Sequence, residues 1–281
     1  MNEYIDFEYS GKRLSDFMSM IGSVDGGGSI ESLESGNKLS MIDVETPYLK
    51  RMRNINSKYG EMLSREYTII KNTCNGDPLD TYSMNECNAI MRWLNQPTYR
   101  KFKPIYSSEE WSEVYYNATF NVTPIVCGDE VIGFNLQMTT DAPFGYYPDV
   151  ELSGTCPFTI EDTSDEIGYI YPHIEITPHS ACAELRLINS KDPTHYTRID
   201  NVSANETITL DGTNQFIDTG LTPHSALYND FNFQFPKIFN KMSENGIDDR
   251  HNTYTVTNGQ SGSVTADIVI KYTPICKFGL L

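Results

Sequence analysis

Long apolar segments are missing from this chain. Its 281 residues include no run of about 18 apolar residues, the length that a membrane-spanning helix requires. Residues 1–17 also lack the apolar core that a signal peptide carries. We therefore expect a soluble protein that is made and assembled inside a cell, with no membrane insertion.

Cysteine motifs are missing as well. The six cysteines are dispersed, with no CxxC pair and no Cys/His cluster at zinc spacing: they are Cys74, Cys87, Cys127, Cys156, Cys182 and Cys276. We expect buried or half-buried free thiols in a protein that is assembled in a reducing cytoplasm.

Basic residues are scarce. The chain has 21 Lys and Arg residues against 38 Asp and Glu residues, which gives a formal net charge of −17. Such a charge repels polyanions, including nucleic acid, unless a local basic patch overrides it. The two denser basic clusters, at residues 50–53 and 100–103, are interpreted as solvated faces or subunit contacts and not as a DNA-binding groove.

The motifs of common enzymes are absent too. The five histidines are far apart, and no HExxH, GxSxG or Ser-His-Asp order has the right context. Gly26–Gly28 is followed by no Lys-Ser or Lys-Thr pair, and Asp25 would repel a phosphate. The acidic stretch between Asp141 and Glu166 lacks calcium-loop spacing, and no carboxylate pair stands out for glycoside hydrolysis. The sequence therefore predicts no enzyme, no cofactor and no metal site.

One helix is clearly encoded in the first half. Ile90, Trp93 and Leu94 recur at three- and four-residue spacing, and a proline soon ends the run. Ser83 can cap this helix, with Glu86 three residues later completing a capping box. We predict an amphipathic helix of about three turns.

Strands surround this helix. Tyr4–Phe17 is predicted to form a hairpin with a Ser-Gly turn, and Arg65–Asn72 a single strand. Ala118–Val126 and Val131–Met138 flank a Gly-Asp turn, so they are predicted to pair as a second hairpin. The Gly- and Ser-rich segment Ile21–Glu45 is interpreted as a loop or a long, twisted hairpin arm.

In the second half, apolar and polar residues alternate in short runs about ten residues apart, which favours an antiparallel β-sandwich. The predicted strands are Thr155–Ile160, Ile167–Ile176, Ala183–Ile188, Tyr196–Ile199, Thr207–Asp211, Gln215–Asp218, Asp230–Phe235, Thr253–Thr257 and Thr265–Thr273. Residues 139–149 are rich in Pro, Gly and Asp and are interpreted as a linker. The prediction is a mainly β fold with a small α+β part, in which residues 1–138 and 150–281 are separate domains.

Several segments resemble a known family. The helix ending in Arg92–Leu94, the acidic tip at Glu109 and Glu110, and the strand Val114–Phe120 resemble the first domain of the distal tail proteins of long-tailed bacteriophages.

The second half resembles the second domain of those proteins, a galectin-like sandwich. The resemblance lies in the strand ending at Leu187–Asn189, the strand and turn Ile208–Gly212, the segment Asp230–Phe239 and the closing strand Ile268–Pro274. The chain departs from the family at Cys276–Leu281, where the family often has a Trp-Arg pair.

The resemblance implies a structural virion protein of the tail tip, assembled in the host cytoplasm. Its first domain would form a ring of six copies that joins the tail tube protein to tail-tip lysins or receptor-binding proteins. DNA would pass through the lumen without specific binding. In the family an extended hairpin embraces the neighbouring subunit, so the candidate interface residues are the apolar residues of the arm: Ile21, Ile30, Leu33, Leu39, Met41 and Ile42.

An alternative function remains open. A baseplate accessory protein could bind a host-surface saccharide through the second domain, since carbohydrate sites combine an aromatic platform with polar side chains. The sequence offers Trp111, Tyr146, Tyr147 and His224 for this, without convergent placement. Fold analogy alone does not establish such a site.

Overall fold

The computed structural model describes residues 4–24, 39–45, 52–72, 81–106, 113–220, 224, 227–242 and 248–277. The chain divides into two compact units. The first contains residues 1–147 and 276–281, and the second contains residues 148–275.

The first unit is built on an antiparallel sheet of seven strands in the order β2-β1-β7-β8-β9-β6-β3. The strands of this unit are β1 (Tyr4–Tyr9), β2 (Lys12–Arg13), β3 (Ser19–Val24), β4 (Leu39–Glu45), β5 (Met52–Tyr59), β6 (Ser64–Lys71), β7 (Arg100–Tyr106), β8 (Tyr116–Cys127), β9 (Glu130–Thr140) and β10 (Gly145–Tyr146). The predicted strand at residues 65–72 is confirmed, and so is the pairing of β8 with β9.

Helix α1 (Met84–Leu94) begins where the sequence predicts. Ser83 adopts an extended conformation and its hydroxyl accepts a hydrogen bond from the Glu86 N–H, while the Glu86 carboxylate accepts one from the Ser83 N–H at 2.7 Å. The predicted capping box is therefore confirmed. The helix buries its apolar stripe, Ile90, Trp93 and Leu94, against the sheet.

Trp93 joins the helix to the sheet. Its indole N–H donates a hydrogen bond of 2.7 Å to the carbonyl oxygen of Tyr9, in β1. One ring face stacks on Phe17 at 4.3 Å between centroids, and the ring also stacks on Phe7 at 5.6 Å. A buried indole that finds a hydrogen-bond partner contributes apolar burial without leaving its polar atom unsatisfied.

The opening hairpin is shorter than predicted. β2 contains two residues, and the chain then forms a 3-10 helix, Leu14–Phe17. Leu14 is fully buried and Phe17 stacks on Trp93. Because tertiary packing draws both side chains toward the core, the strand cannot continue along the edge.

The segment Ile21–Glu45 was predicted to form one loop or hairpin arm, and this prediction was wrong at its start. Ile21 lies in β3, which pairs with β6 in the main sheet, and the separate hairpin is formed by β4 and β5. β5 escaped prediction because its residues are polar or exposed along nearly the whole strand and show no alternation. Ile30 and Leu33 lie outside the described residues.

The second unit is an antiparallel sandwich. One sheet has the order β11-β23-β14-β17-β18, the other has β12-β21-β15-β16 with β22 beside β21, and β13-β19-β20 form a small third sheet. The strands are β11 (Val150–Thr155), β12 (Phe158–Glu161), β13 (Gly168–Ile170), β14 (His173–Pro178), β15 (Cys182–Asn189), β16 (Thr197–Val202), β17 (Ile208–Asp211), β18 (Phe216–Thr219), β19 (Ile238–Met242), β20 (Asp248–Asp249), β21 (His251–Asn258), β22 (Gly262–Ser263) and β23 (Ala266–Tyr272). The last strand, β24 (Ile275–Cys276), spans the boundary at which the second unit ends.

The two large sheets of the sandwich share one apolar core. Every second residue points inward, for example Ile174 and Ile176 in β14 and Leu185 and Leu187 in β15, and these residues belong to one buried cluster. The prediction of a mainly β fold with an antiparallel sandwich in the second half is confirmed.

Three of the predicted strands differ in the structure. One of them, Ile167–Ile176, is divided into β13 and β14, which lie in different sheets. Thr155–Ile160 is divided at Pro157 between two different sheets. The predicted strand Asp230–Phe235 was wrong, since Asn232 turns the backbone there: its side-chain oxygen accepts hydrogen bonds from the N–H groups of Arg198 and Gln234, at 3.0 and 3.2 Å. A short polar side chain that bonds nearby backbone competes with strand pairing.

One buried ionic network lies in the second unit. Glu206 is fully buried, and its carboxylate lies 2.6 Å from Nδ1 of His224, whose Nε2 lies 3.1 Å from the Asp230 carboxylate. An imidazolium satisfies both carboxylates at once because it donates from both nitrogens. Thr219 and the Ser203 N–H donate to the Glu206 carboxylate as well, each at 2.8 Å.

We expect Trp93→Ala to lower the free energy of unfolding by about 3–5 kcal/mol, because it removes a large buried ring and its hydrogen bond. Trp93→Phe keeps a stacking ring and loses mainly the hydrogen bond to Tyr9, so it should cost less, about 1–3 kcal/mol. Urea unfolding of the full chain measures both. Equal costs for the two variants would contradict a role for the packed ring.

We expect His224→Ala to cost about 3–5 kcal/mol, because it leaves the buried Glu206 carboxylate without its closest hydrogen-bond partner. His195 offers a matched control: it pairs with Asp192 at 2.9 Å, but its side chain is 68% exposed. His195→Ala should therefore change stability by about 0–1 kcal/mol. A smaller effect at His224 than at His195 in urea unfolding would show that the buried network is not stabilising.

Candidate subunit interface

The hairpin formed by β4 and β5 is exposed along nearly its whole length. Among the described residues its strands pair only with each other, from Leu39 opposite Tyr59 to Glu45 opposite Met52. Its exposed apolar side chains are Met41, Ile42, Val44, Met52 and Ile55. Met41 is 62% exposed and Ile55 64% exposed. A two-stranded hairpin is marginally stable by itself, so these side chains favour contact with another protein surface.

The two faces of this hairpin differ in charge. Residues directly opposite each other in an antiparallel pair share a face, so the register assigns each side chain to one side. Asp43 and Glu45 lie on one face, where the Asn54 amide donates to the Asp43 carboxylate at 3.1 Å. The other face carries Ile42, Val44, Arg53 and Lys58, and we call these four residues the apolar-basic face.

A register shift of the β-bulge type interrupts the pairing of β4 with β5 at Ile55. Ile42 lies opposite Asn56 and Asp43 lies opposite Asn54, so Ile55 is the extra residue of β5. Bulges bend a strand and redirect side chains, and they are frequent at functional edges. Ile55 is therefore displayed to solvent by backbone geometry.

Besides the two-residue end strand β2, two strand edges in the main sheet lack a neighbour among the described residues. β3 is the last strand of the sheet, and β8 pairs with β7 only from Tyr116 to Ala118, so residues 119–127 of β8 have β9 on one side alone. Pro124, which has no N–H to donate, suits such an edge. Open edges offer backbone hydrogen-bonding groups to another chain.

A pocket of about 460 Å³ lies beside the first turn of α1. Its floor contains Lys71, whose side chain is 3% exposed and whose ammonium donates to the Glu86 carboxylate and to the Thr81 carbonyl, each at 3.0 Å. Its walls and rim are formed by Tyr82, Ser83, Met84, Cys87, Met91, Pro124, Asp129, Glu130, Val131 and Phe134.

The electrostatics of this pocket follow from its hydrogen bonds. The Ser83 hydroxyl donates to the Glu86 carboxylate at 2.7 Å, and this bond, together with Lys71, lowers the pKa of Glu86 below its ordinary value. Asp129 and Glu130 are exposed at the adjoining β8–β9 turn. The rim is therefore acidic around a mostly apolar interior.

The structure separates the predicted interface residues. Met41 and Ile42 are exposed on the hairpin, and Leu39 begins the same strand. Ile21 instead packs against the core of the first unit. The sequence analysis missed the exposed residues Val44, Met52 and Ile55. Val44 could have been predicted, because it follows the apolar residues Met41 and Ile42 in β4. Met52 and Ile55 lie in the mostly polar strand β5, which gave no such signal.

The four residues named for saccharide binding do not form a described site. His224 is buried between two carboxylates, and Tyr146 is half-buried with its hydroxyl 3.3 Å from the Asp141 carboxylate. Trp111 lies outside the described residues. The exposed large aromatic residues of the described second unit are Tyr169, Phe216, Tyr228 and Phe233.

Among the described residues, no group of three or more His, Cys, Asp and Glu side chains is arranged to hold a metal ion. None of the described helices has both the length and the apolar character needed to cross a membrane. Among the described cysteines, Cys127 departs from expectation because it is exposed at the β8–β9 turn.

Family comparisons match both parts of the chain. Residues 2–142 match a family described as a phage tail protein N-terminal domain, and residues 144–272 match one described as a phage tail C-terminal domain. No curated protein sequence matches the chain.

Solved structures provide an independent likeness. The SPP1 Dit protein, described as a paradigm of the hub adsorption apparatus in phages that infect Gram-positive hosts, superposes with a TM-score of 0.61 at 12% identity, over 96% of this chain and 99% of that one. A chain of the phage p2 baseplate in its activated conformation gives a TM-score of 0.46 at 9% identity, over 96% and 98% of the two chains. At these identities the likeness to the SPP1 protein establishes the fold.

We expect Ser83→Ala to lower the free energy of unfolding by about 1 kcal/mol at neutral pH, because the helix loses its cap. The lowered pKa of Glu86 stabilises the fold above the ordinary carboxyl pKa, and this contribution is lost as the pH falls. The difference between wild type and variant should therefore shrink toward acid pH in urea unfolding. Ser83→Thr, which keeps a hydroxyl, should behave as wild type; an equal loss in both variants would contradict the capping role.

Proposed function

The chain belongs to the family of phage tail proteins whose N- and C-terminal domains it matches, and on that premise we propose that it forms a ring at the distal end of a phage tail. The resemblance to distal tail proteins seen in the sequence is confirmed by these matches and by the shared hub-protein fold. The role is structural, and we assign the protein no catalytic activity.

The observation that carries this proposal is the exposed hairpin of the first unit. Five large apolar side chains lie on two strands that pair with no third strand among the described residues. Burial of such side chains contributes about 25 cal/mol for each Å² removed from water. Contact with a neighbouring copy would supply this burial.

The asymmetry of the exposed surfaces supports a ring. The hairpin and the open edges of β3 and β8 are different surfaces of the same unit. When one surface of a copy binds a different surface of the next, the contact is head-to-tail, and it closes into a ring if the rotation permits. Six copies is the number that the family resemblance implies.

The ring would act as a connector. We place the tail tube protein on one side of it and tail-tip lysins or receptor-binding proteins on the other, with the galectin-like second domain available for docking. The formal charge of −17 supports a lumen that lets DNA pass without binding it specifically. The protein would be assembled in the host cytoplasm and reside at the tail tip of the virion.

A second candidate function is saccharide binding by the sandwich. The observation that favours it is an aromatic surface at β13, where Tyr169 is half exposed, Tyr171 lies edge-on at 5.4 Å, and the Lys237 ammonium lies 4.2 Å from the Tyr169 ring. Aromatic faces beside polar groups suit sugar rings. Binding of the intact protein to a glycan array, lost in Tyr169→Ala, would support this function.

We expect the purified wild-type chain to form closed rings, and the variant with Ile42→Asp and Val44→Asp to remain monomeric, since two carboxylates would be buried in the contact. Light scattering gives the mass in solution, and negative-stain images show the rings. Ile167→Asp, at an exposed apolar residue of the second unit, is the matched control and should assemble normally. A wild-type chain that stays monomeric at the concentration used for imaging would contradict the ring.

A further inference from the structure

The pocket beside α1 has the properties of a receptor for a protein segment. Buried or half-buried apolar side chains line it, among them Met91, Val131 and Phe134, while the lining carboxylates Asp129 and Glu130 are exposed. Methionine adapts its shape to an incoming side chain, which is why it is frequent at binding surfaces. The occupant that fits this chemistry is apolar at its centre and basic at its margin.

The buried base of the pocket makes it a preformed site. Lys71 is held by Glu86 and Thr81 and lies 5.9 Å from the centre of the Tyr82 ring, whose hydroxyl is hydrogen-bonded to Ser19 at 2.8 Å. The capping box holds Glu86 in place from the other side. Since these groups are already ordered, an occupant does not have to organise them.

The hairpin displays a surface with the complementary properties. On its apolar-basic face, Ile42 and Val44 run along β4 while Arg53 and Lys58 stand across from them on β5. All four side chains are exposed, and none of them lines the pocket of its own chain. The opposite face carries Asp43 and Glu45, which the acidic rim would repel.

We propose that this pocket receives the apolar-basic face of the hairpin from a second copy of the chain. Ile42 or Val44 would enter the apolar interior, and Arg53 and Lys58 would lie against Glu86, Asp129 and Glu130. The inference rests on the proposed ring and assigns both sides of its subunit contact. The charges also orient the hairpin, because the reverse face brings carboxylates together.

Charge reversal tests the pairing. We expect the variant with Arg53→Glu and Lys58→Glu to weaken ring assembly by about tenfold or more, as two attractive pairs become repulsive. Adding Asp129→Lys and Glu130→Lys in the same chain should restore assembly. The matched control reverses the other face, Asp43→Lys and Glu45→Lys, and should assemble as wild type. The assembly of each variant is measured by light scattering at low ionic strength, where exposed charges are least screened.

Crosslinking tests proximity in the assembled protein. Cys87 lines the pocket and Cys127 lies at the adjoining turn, so a thiol on the apolar-basic face should meet one of them. We expect Lys58→Cys treated with a short bismaleimide to give covalent dimers and higher ladders. Ser57→Cys, on the opposite face, should give few, and Cys87→Ser with Cys127→Ser should abolish the ladder of Lys58→Cys.

The possible outcomes separate the two proposals. If the variant with Arg53→Glu and Lys58→Glu forms rings as well as wild type does, and Lys58→Cys gives no ladder, the pocket assignment is overturned and the proposed ring stands. Equal loss of assembly on both hairpin faces, without rescue at Asp129 and Glu130, would overturn it too. A wild-type chain that stays monomeric, together with a Lys58→Cys variant that gives no ladder, would overturn the ring itself.

Discussion

The first unit depends on one constraint: the backbone N–H and C=O groups along every strand edge need hydrogen-bond partners. Backbone N–H and C=O groups at the margin of a sheet are left for water or for another chain. In the described residues of this unit the situation arises at the end strands β2 and β3, along residues 119–127 of β8 and on both strands of the β4–β5 hairpin. The hairpin adds exposed apolar side chains to its open edges. These margins are the features on which the proposed ring rests.

The rest of the first unit keeps these margins in place. Trp93 holds α1 against β1 through the Tyr9 carbonyl and through stacked aromatic rings, and the capping box holds the start of the helix at the pocket. The same Glu86 caps the helix and neutralises Lys71. Stability and the proposed receptor pocket therefore share residues, and changes at Glu86 would affect both.

The sequence predicted the elements of the fold correctly where local signals and tertiary packing agree. The capping box at Ser83, the buried stripe of α1 and the β8–β9 hairpin were all predictable because each has a local physical cause. The prediction failed at β5, whose polar residues carry no alternation, and at Asp230–Phe235, where the Asn232 side chain replaces strand pairing with a turn. The resemblance to tail proteins could also be recognised from the sequence, because it rests on the order of helix and strand segments along the chain.

The sequence by itself determined the class of the molecule: a mainly β, acidic chain with one capped helix and a sandwich in its second half, with the family it resembles. Only the tertiary structure decided which of the apolar residues are exposed. Ile21 and Met41 look alike in sequence, yet Ile21 packs against a core and Met41 faces solvent on a hairpin. The physical reason is that exposure depends on which strands pair, and pairing joins segments that are distant along the chain.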